Sequence, residues 1–129
     1  MHKLYWEDDI NCAGTMLRCL SEAFDIKLDR QVLSAAAGMH GAGGYGAQCG
    51  LVEGALLFIG IYCGLTRAGC EKAADYCCEY AKAFENKFAS LRCHDFAAGR
   101  FLQSRTRRIC VKRSPVRQFF LPMALSGKE

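Results

Sequence analysis

Nine cysteines lie in this chain of 129 residues, and no two of them have the C-x-x-C spacing. Thiols in such number are typical of redox or metal chemistry when a chain carries no secretory signal. The missing C-x-x-C argues against thioredoxin-type dithiols, zinc fingers and c-type haem attachment, which use that spacing. A thiol site must therefore be assembled by folding, from cysteines that are far apart in sequence.

Four cysteines have surroundings that favour the thiolate, which is both the redox nucleophile and the metal ligand. Cys12, Cys49 and Cys93 each lie near the predicted start of a helix, where backbone N–H groups stabilise negative charge. Cys110 lies in a run of arginine and lysine, whose positive charge lowers the pKa of a thiol. The remaining cysteines lie in or at the ends of predicted helices and are interpreted as small buried apolar residues: Cys19, Cys63, Cys70, Cys77 and Cys78.

Apolar residues at helical spacing predict an all-α fold, a bundle of four to six helices, and no segment alternates as a strand does. The third predicted helix, about 48–63, is apolar on every side except at Glu53, so we expect it to be the central buried helix. It is too short for a membrane span, and it carries a charge. Gly54 and Gly60 are expected to let neighbouring helices approach it closely. The predicted helices span about 9–24, 29–37, 48–63, 70–88 and 90–99.

Length and charge predict a single domain, with a helical core over 1–99 and a basic segment over 100–129 that completes or flanks it. Residues 1–96 carry 9 basic and 12 acidic side chains, whereas residues 97–129 carry 8 basic and 1 acidic. The first residues lack the apolar stretch of a secretory signal, so we expect a cytoplasmic location.

The segment 38–46 contains five glycines and is predicted to be a loop with access to positive φ angles. Part of it matches G-x-G-x-x-G, but a helix rather than a strand precedes it, which argues against a dinucleotide site. Two interpretations remain open: a tight connection between helices, or a cradle whose amide groups donate to sulfur near Cys49. In the second, the cofactor-binding glycines are Gly43, Gly44, Gly46 and Gly50.

Two histidines and one carboxylate lie near these cysteines. His40 is in the glycine loop and His94 follows Cys93, so either could act as a base or a ligand; solvent exposure is the simpler interpretation of each. Glu53 is alone on its apolar helix and needs a partner. We expect that partner to be an arginine of another helix.

The order of these residues resembles the family of redox-active proteins named for the pattern C_GCAxxG_C_C. The resemblance covers about residues 9 to 111 and implies a small helical protein whose four cysteines form a redox or metal site. A similar four-cysteine domain attached to a split-Soret-type cytochrome looks like an iron–sulfur site, which favours a cluster. Leu51 stands where the motif has alanine. The residues that carry the resemblance are Asn11, Cys12 and Ala13, the loop from Gly41 to Gly46, the stretch from Cys49 to Gly54, the stretch from Phe88 to Cys93, and Cys110.

We therefore expect a small redox-active protein that uses Cys12, Cys49, Cys93 and Cys110 for electron transfer or for thiol–disulfide chemistry. Either the thiols cycle between dithiol and disulfide, with Cys12 or Cys49 attacking, or they ligate an iron–sulfur cluster. A zinc site is a third and less favoured option. Whether the protein is an oxidoreductase or an electron carrier is left open.

The expected partner is a redox protein that the sequence does not identify. The apolar third helix and the aromatic residues Phe119 and Phe120 leave a homodimer open. The alternative function is a non-catalytic helical module whose basic tail binds an acidic partner or nucleic acid. Of those two partners, nucleic acid is the less favoured.

Overall fold

The computed structural model describes residues 11–66 and 69–97. Cys110, the basic segment 100–129 and the predicted end of the last helix near Gly99 lie outside these residues. The division of the chain into a core and a basic segment therefore stays a prediction.

Helices account for most of the described residues, which confirms the all-α fold class and the helical bundle. Within the described residues, β pairing is limited to an isolated bridge between Gln48 and Arg92. In chain order the elements are α1 (Cys12–Phe24), α2 (Arg30–Ala35) with a 3₁₀ turn (Ala36–Gly38), a one-turn helical segment (Gly41–Gly44), α3 (Gly50–Leu65), α4 (Gly69–Phe88) and α5 (Cys93–Ala97).

Capping residues fix where α1 begins and ends. Asn11 caps its start, because the Asn11 side-chain oxygen accepts a hydrogen bond of 2.9 Å from the N–H of Gly14. Asp25 ends it in the left-handed conformation, with a φ of 53°. Near its end, Ala23 is exposed and Cys19 is half-buried, so neither lies in the core. The buried residues are Ala13, Gly14, Thr15, Met16, Leu17 and Leu20.

The third helix is central, as predicted. Its Val52, Phe58 and Ile59 side chains are completely buried, and the helix packs against α1 and against α4. It continues to Leu65, beyond the predicted end near residue 63, and the N–H of Thr66 still bonds to the carbonyl of Tyr62 at 3.0 Å. No helix in the described part of the chain is long and apolar enough to cross a membrane.

Two glycines let α1 and α3 cross with almost no space between them. A Cβ on Gly54 would lie 2.5 Å from the carbonyl oxygen of Ala13 and 2.9 Å from the Cβ of Met16. One turn earlier, a Cβ on Gly50 would lie 2.9 Å from the Cβ of Cys12. The prediction is confirmed for Gly54 and wrong for Gly60, where nothing described lies within 4 Å.

Substitutions at Gly54 and Gly60 test this crossing. Gly54→Ala forces a methyl group onto the Ala13 carbonyl, so we expect the free energy of unfolding to fall by about 1–3 kcal/mol. Gly60→Ala meets open space and removes a flexible residue from a helix, so we expect a gain of about 1 kcal/mol. Urea unfolding followed by circular dichroism measures both. Equal effects of the two changes would argue against the close crossing.

Candidate functional site

Three of the four predicted site cysteines lie at helix starts, and the fold brings them together. Cys12 is the first residue of α1, Cys49 is the N-cap residue of α3, and Cys93 is the first residue of α5. Charge on Cys12 or on Cys93 raises the pKa of Cys49, so both thiols are neighbours of the Cys49 thiol. The fourth, Cys110, lies outside the described residues.

Cys49 and Cys93 are aligned by a short antiparallel pairing of their backbones. The N–H of Cys49 donates to the carbonyl of Leu91 at 2.7 Å, and the N–H of Cys93 donates to the carbonyl of Ala47 at 2.6 Å. The N–H of His94 continues the pairing to the carbonyl of Gly46 at 3.1 Å. The end of the glycine loop and the segment before α5 therefore hold the two cysteines side by side.

The glycine loop packs directly against these thiols. Gly41 has a φ of +67°, and a Cβ there would lie 3.0 Å from the Cβ of Cys93 and 3.2 Å from its sulfur. Ala42 and Gly43 are also left-handed, with φ of 55° and 68°, so the one-turn segment over Gly41–Gly44 reverses the hand of a normal helix. The loop prediction is confirmed by these positive φ angles.

The predicted cofactor-binding glycines differ in what they contact. Gly50 lies against Cys12, and a Cβ on Gly46 would lie 3.3 Å from the Cβ of His94. A Cβ on Gly44 would reach only the His40 ring, at 3.9 Å, and one on Gly43 would meet nothing within 4 Å. Sequence reasoning left out Gly41, the glycine that contacts a site thiol most closely in the loop. Its signal was its place as the first glycine of the G-x-G-x-x-G match.

Burial, and not the helix start, decides the protonation of Cys49. The Cys49 side chain is 1% exposed, and desolvation raises its pKa from 9.0 to about 12. Hydrogen bonds from the backbone of Leu51 and Val52 lower the pKa, but they offset only part of the burial effect. The prediction that Cys49 is a ready thiolate is therefore wrong: at neutral pH it is a protonated thiol.

Asn11 connects the start of α1 to the chain that leads into the glycine loop. Its side-chain nitrogen donates to the carbonyls of Ala36 and Ala37, each at 2.9 Å. The same nitrogen lies 3.3 Å from Nδ1 of His40. One side chain thus caps the helix that begins with Cys12 and ties it to the 3₁₀ turn.

Glu53 and His40 form a second polar pair beside the thiols. Desolvation raises the pKa of Glu53, and the charge of His40 lowers it. The neighbouring charge among the described residues is that of a histidine, so the predicted arginine partner is not found there and stays a prediction. Oε2 of Glu53 is buried and accepts no hydrogen bond from the described residues. His40 is half-buried, unlike His94, whose side chain is 84% exposed as predicted.

The cysteines interpreted as buried apolar residues divide into two groups. Cys63 is buried, and Cys19 and Cys77 are half-buried. Cys70 and Cys78 are exposed, which contradicts the interpretation for these two. Cys70 is the second residue of α4.

The described side chains do not form a metal site as they lie. Across residues 11–66 and 69–97, no group of three or more His, Cys, Asp or Glu side chains is arranged to hold a metal ion. The thiols of Cys12, Cys49 and Cys93 have the right chemistry for iron or zinc. Their positions alone supply no ligand set.

Comparison with known proteins gives one match. The family model described as "Putative redox-active protein (C_GCAxxG_C_C)" matches residues 10–114. No curated protein matches the chain. No solved structure matches it either.

Substitution of Asn11 separates its capping role from its bridging role. Asn11→Ala removes both, and we expect the free energy of unfolding to fall by about 1–2 kcal/mol or more. Asn11→Asp keeps an oxygen for the N–H of Gly14 but loses the donor to Ala36 and Ala37. We expect Asn11→Asp to be nearly as destabilising as Asn11→Ala in urea unfolding. Wild-type stability of Asn11→Asp would show that only the cap matters.

The pKa of Cys49 predicts how stability depends on pH. Because the folded-state pKa of about 12 lies above the unfolded value of 9.0, the buried thiol stabilises the fold below pH 9, and this stability is lost as pH rises towards 12. Above pH 9, wild-type stability should fall relative to that of Cys49→Ala by about 1 kcal/mol per pH unit. Cys78→Ala, which removes an exposed thiol, is the control. Parallel pH curves for wild type and Cys49→Ala would refute the assignment.

Proposed function

This chain belongs to the C_GCAxxG_C_C family of redox-active proteins, and from that premise we propose that it carries out thiol–disulfide exchange with Cys12 and Cys49 as the exchanging pair. The observation that carries the proposal is the contrast between two neighbouring thiols. Cys49 is buried with a pKa of about 12, whereas Cys12 is half-buried at the start of a 13-residue helix.

The two thiols have different roles in this proposal. Cys12 attacks first, because the start of a long helix favours the thiolate and because its partial exposure admits a substrate. Cys49 is unsuited to attack, since little of it is ionised at neutral pH. Its place beside Cys12 assigns it to the resolving step, in which proximity to the mixed disulfide offsets its small ionised fraction.

The exchange is balanced without any metal or organic cofactor. The Cys12 thiolate attacks one sulfur of an external disulfide, so that a Cys12 mixed disulfide forms and one thiolate leaves. That thiolate takes the proton of Cys49, and the Cys49 sulfur then attacks the Cys12 sulfur. A Cys12–Cys49 disulfide forms, a second external thiolate is released, and two electrons have passed from the protein to the external disulfide.

Cys93 and the glycine turn support the pair. Cys93 is a neighbour of Cys49, and its position against Gly41 leaves no room for another side chain beside its sulfur. We assign it to a second exchange with the pair, and Cys110 to the same group on the strength of the family resemblance. Both assignments are hypotheses of this proposal.

Iron–sulfur and zinc forms of the site remain separate predictions. Thiolates are the ligands that both would use, but the described thiols are not arranged as a ligand set. We propose exchange by the thiols first because Cys12 and Cys49 are neighbours that differ in exposure. The proposed binding of an acidic partner by the basic tail gains no support from the described residues, since the tail lies outside them.

A trapping experiment tests the exchange. Treated with oxidised glutathione, the wild-type protein should form a Cys12–Cys49 disulfide and keep no glutathione on Cys12. Cys49→Ser should stop at the mixed disulfide and keep glutathione on Cys12, because the resolving thiol is missing. Trypsin isolates Cys12 in the peptide over 4–18, so mass spectrometry can assign the modification. Cys78→Ser, which alters an exposed thiol of α4, should behave as wild type.

Two results would contradict the exchange. One is a Cys49→Ser protein in which Cys12 stays reduced while the wild-type pair is oxidised. The other is stoichiometric iron and acid-labile sulfide, or zinc, in anaerobically prepared protein, lost on substitution of Cys12 or Cys49. The second result would establish the metal form of the site.

A further inference from the structure

We propose that Cys63 and Cys70 form a second, reversible dithiol/disulfide pair at the turn between α3 and α4. This pair lies at the far end of the central helix from the first site. Thirteen residues of α3 separate Gly50 from Cys63, which corresponds to about 20 Å of helix. The pair is independent of the exchange proposed for Cys12 and Cys49.

The pairing of α3 with α4 places the two cysteines at the same level. The helices are antiparallel neighbours, since the Cys77 thiol lies 3.9 Å from the carbonyl of Leu56 and the Tyr80 hydroxyl lies 3.5 Å from the carbonyl of Leu51. Seven residues towards the turn, Leu56 is followed by Cys63 and Cys77 is preceded by Cys70.

A step of seven residues towards the turn on both helices keeps the two positions level with each other and on the same faces. Seven residues are two turns, about 10.5 Å, and they rotate the side chain by only about 20°. The face that contacts α4 at Leu56 therefore contacts it again at Cys63, and the face of α4 that carries Cys77 also carries Cys70. The register that joins Leu56 to Cys77 thus brings Cys63 opposite Cys70.

The electrostatic neighbourhood of Cys63 agrees with this register. Desolvation is the largest cause of its raised pKa, and charge on Cys70 raises it further. The pKa of Cys77 is also raised by burial and, to a smaller extent, by charge on Cys63. Cys63 is therefore a neighbour of both these thiols of α4, and the register places Cys70 at its own level.

The difference in exposure assigns the roles. Cys70 is exposed and Cys63 is 1% exposed, so a small disulfide of the glutathione type meets Cys70 first. The Cys70 thiolate forms a mixed disulfide and releases one small thiolate, which takes the proton of Cys63. The Cys63 sulfur then attacks the Cys70 sulfur, a Cys63–Cys70 disulfide forms, and the second small thiolate leaves. The end of α3 is thereby joined to the start of α4.

Neighbouring cysteines provide the controls. Cys70 and Cys77 are two turns apart on one helix, a Cα separation of about 10.5 Å that a disulfide cannot span. Cys78 is exposed like Cys70 but follows Cys77 directly and points about 100° away from it. Cys78→Ser is therefore the matched control for Cys70→Ser.

Disulfide mapping of the full chain tests the pair. The protein is oxidised with glutathione disulfide, alkylated, and digested with trypsin and chymotrypsin under non-reducing conditions. Trypsin cleaves at Arg67, between the two cysteines, so that their disulfide links two peptides that mass spectrometry identifies. We expect this linked pair in wild type and in Cys78→Ser, and its loss in Cys70→Ser. We also expect it in Cys12→Ser, in which the first site is disabled.

Three outcomes would overturn the pair. Cys70 that only carries glutathione while Cys63 stays reduced would show that the sulfurs do not meet. A Cys63–Cys77 link would show that Cys77, and not Cys70, is the partner of Cys63. A Cys63–Cys70 link that disappears in Cys12→Ser would make it a product of the first site. Failure of the first site alone, with the link present, leaves this inference standing.

Discussion

The site depends on how closely α1 and α3 cross. Gly50 and Gly54 lie one turn apart on the same face of α3, and at each the added Cβ of any other residue would collide with α1. Close packing between the helices leaves no slack at this contact. Because Cys12 begins α1 and Cys49 precedes Gly50, the same contact that holds the helices together sets the two thiols beside each other. Gly50 and Gly54, which follow Cys49, thus position Cys49 by letting α3 pack closely against α1.

Burial at this crossing also raises the pKa of Cys49. A helix start favours a thiolate, and the amides of Leu51 and Val52 do act on Cys49 in that direction. Removing the sulfur from water has the larger effect and keeps Cys49 protonated. Cys12 and Cys49 lie in similar positions at helix starts, but only Cys49 is fully buried. Such a difference suits a pair that reacts in order, first the accessible thiol and then the buried one.

Local features of the fold were predictable from sequence, whereas features that depend on distant contacts were not. Helical spacing and the apolar length of α3 depend only on residues that are close in sequence, so the bundle and its central helix could be predicted. So could the helix starts at Cys12, Cys49 and Cys93. The pKa of Cys49 could not, because it depends on what covers the thiol in three dimensions. Gly41 was missed and Gly60 was misassigned for the same reason: a glycine's neighbours come from other parts of the chain.

The central claim is that the crossing of α1 and α3 at Gly50 and Gly54 holds Cys12 beside Cys49. The equilibrium between the Cys12–Cys49 disulfide and glutathione tests this claim most directly, because it gives the effective concentration of one thiol relative to the other. We predict that Gly50→Ala, which drives a methyl group against Cys12, lowers this value by about tenfold, equivalent to about 1.4 kcal/mol, while Gly60→Ala leaves it unchanged. An effective concentration that is the same in wild type and Gly50→Ala would contradict the account.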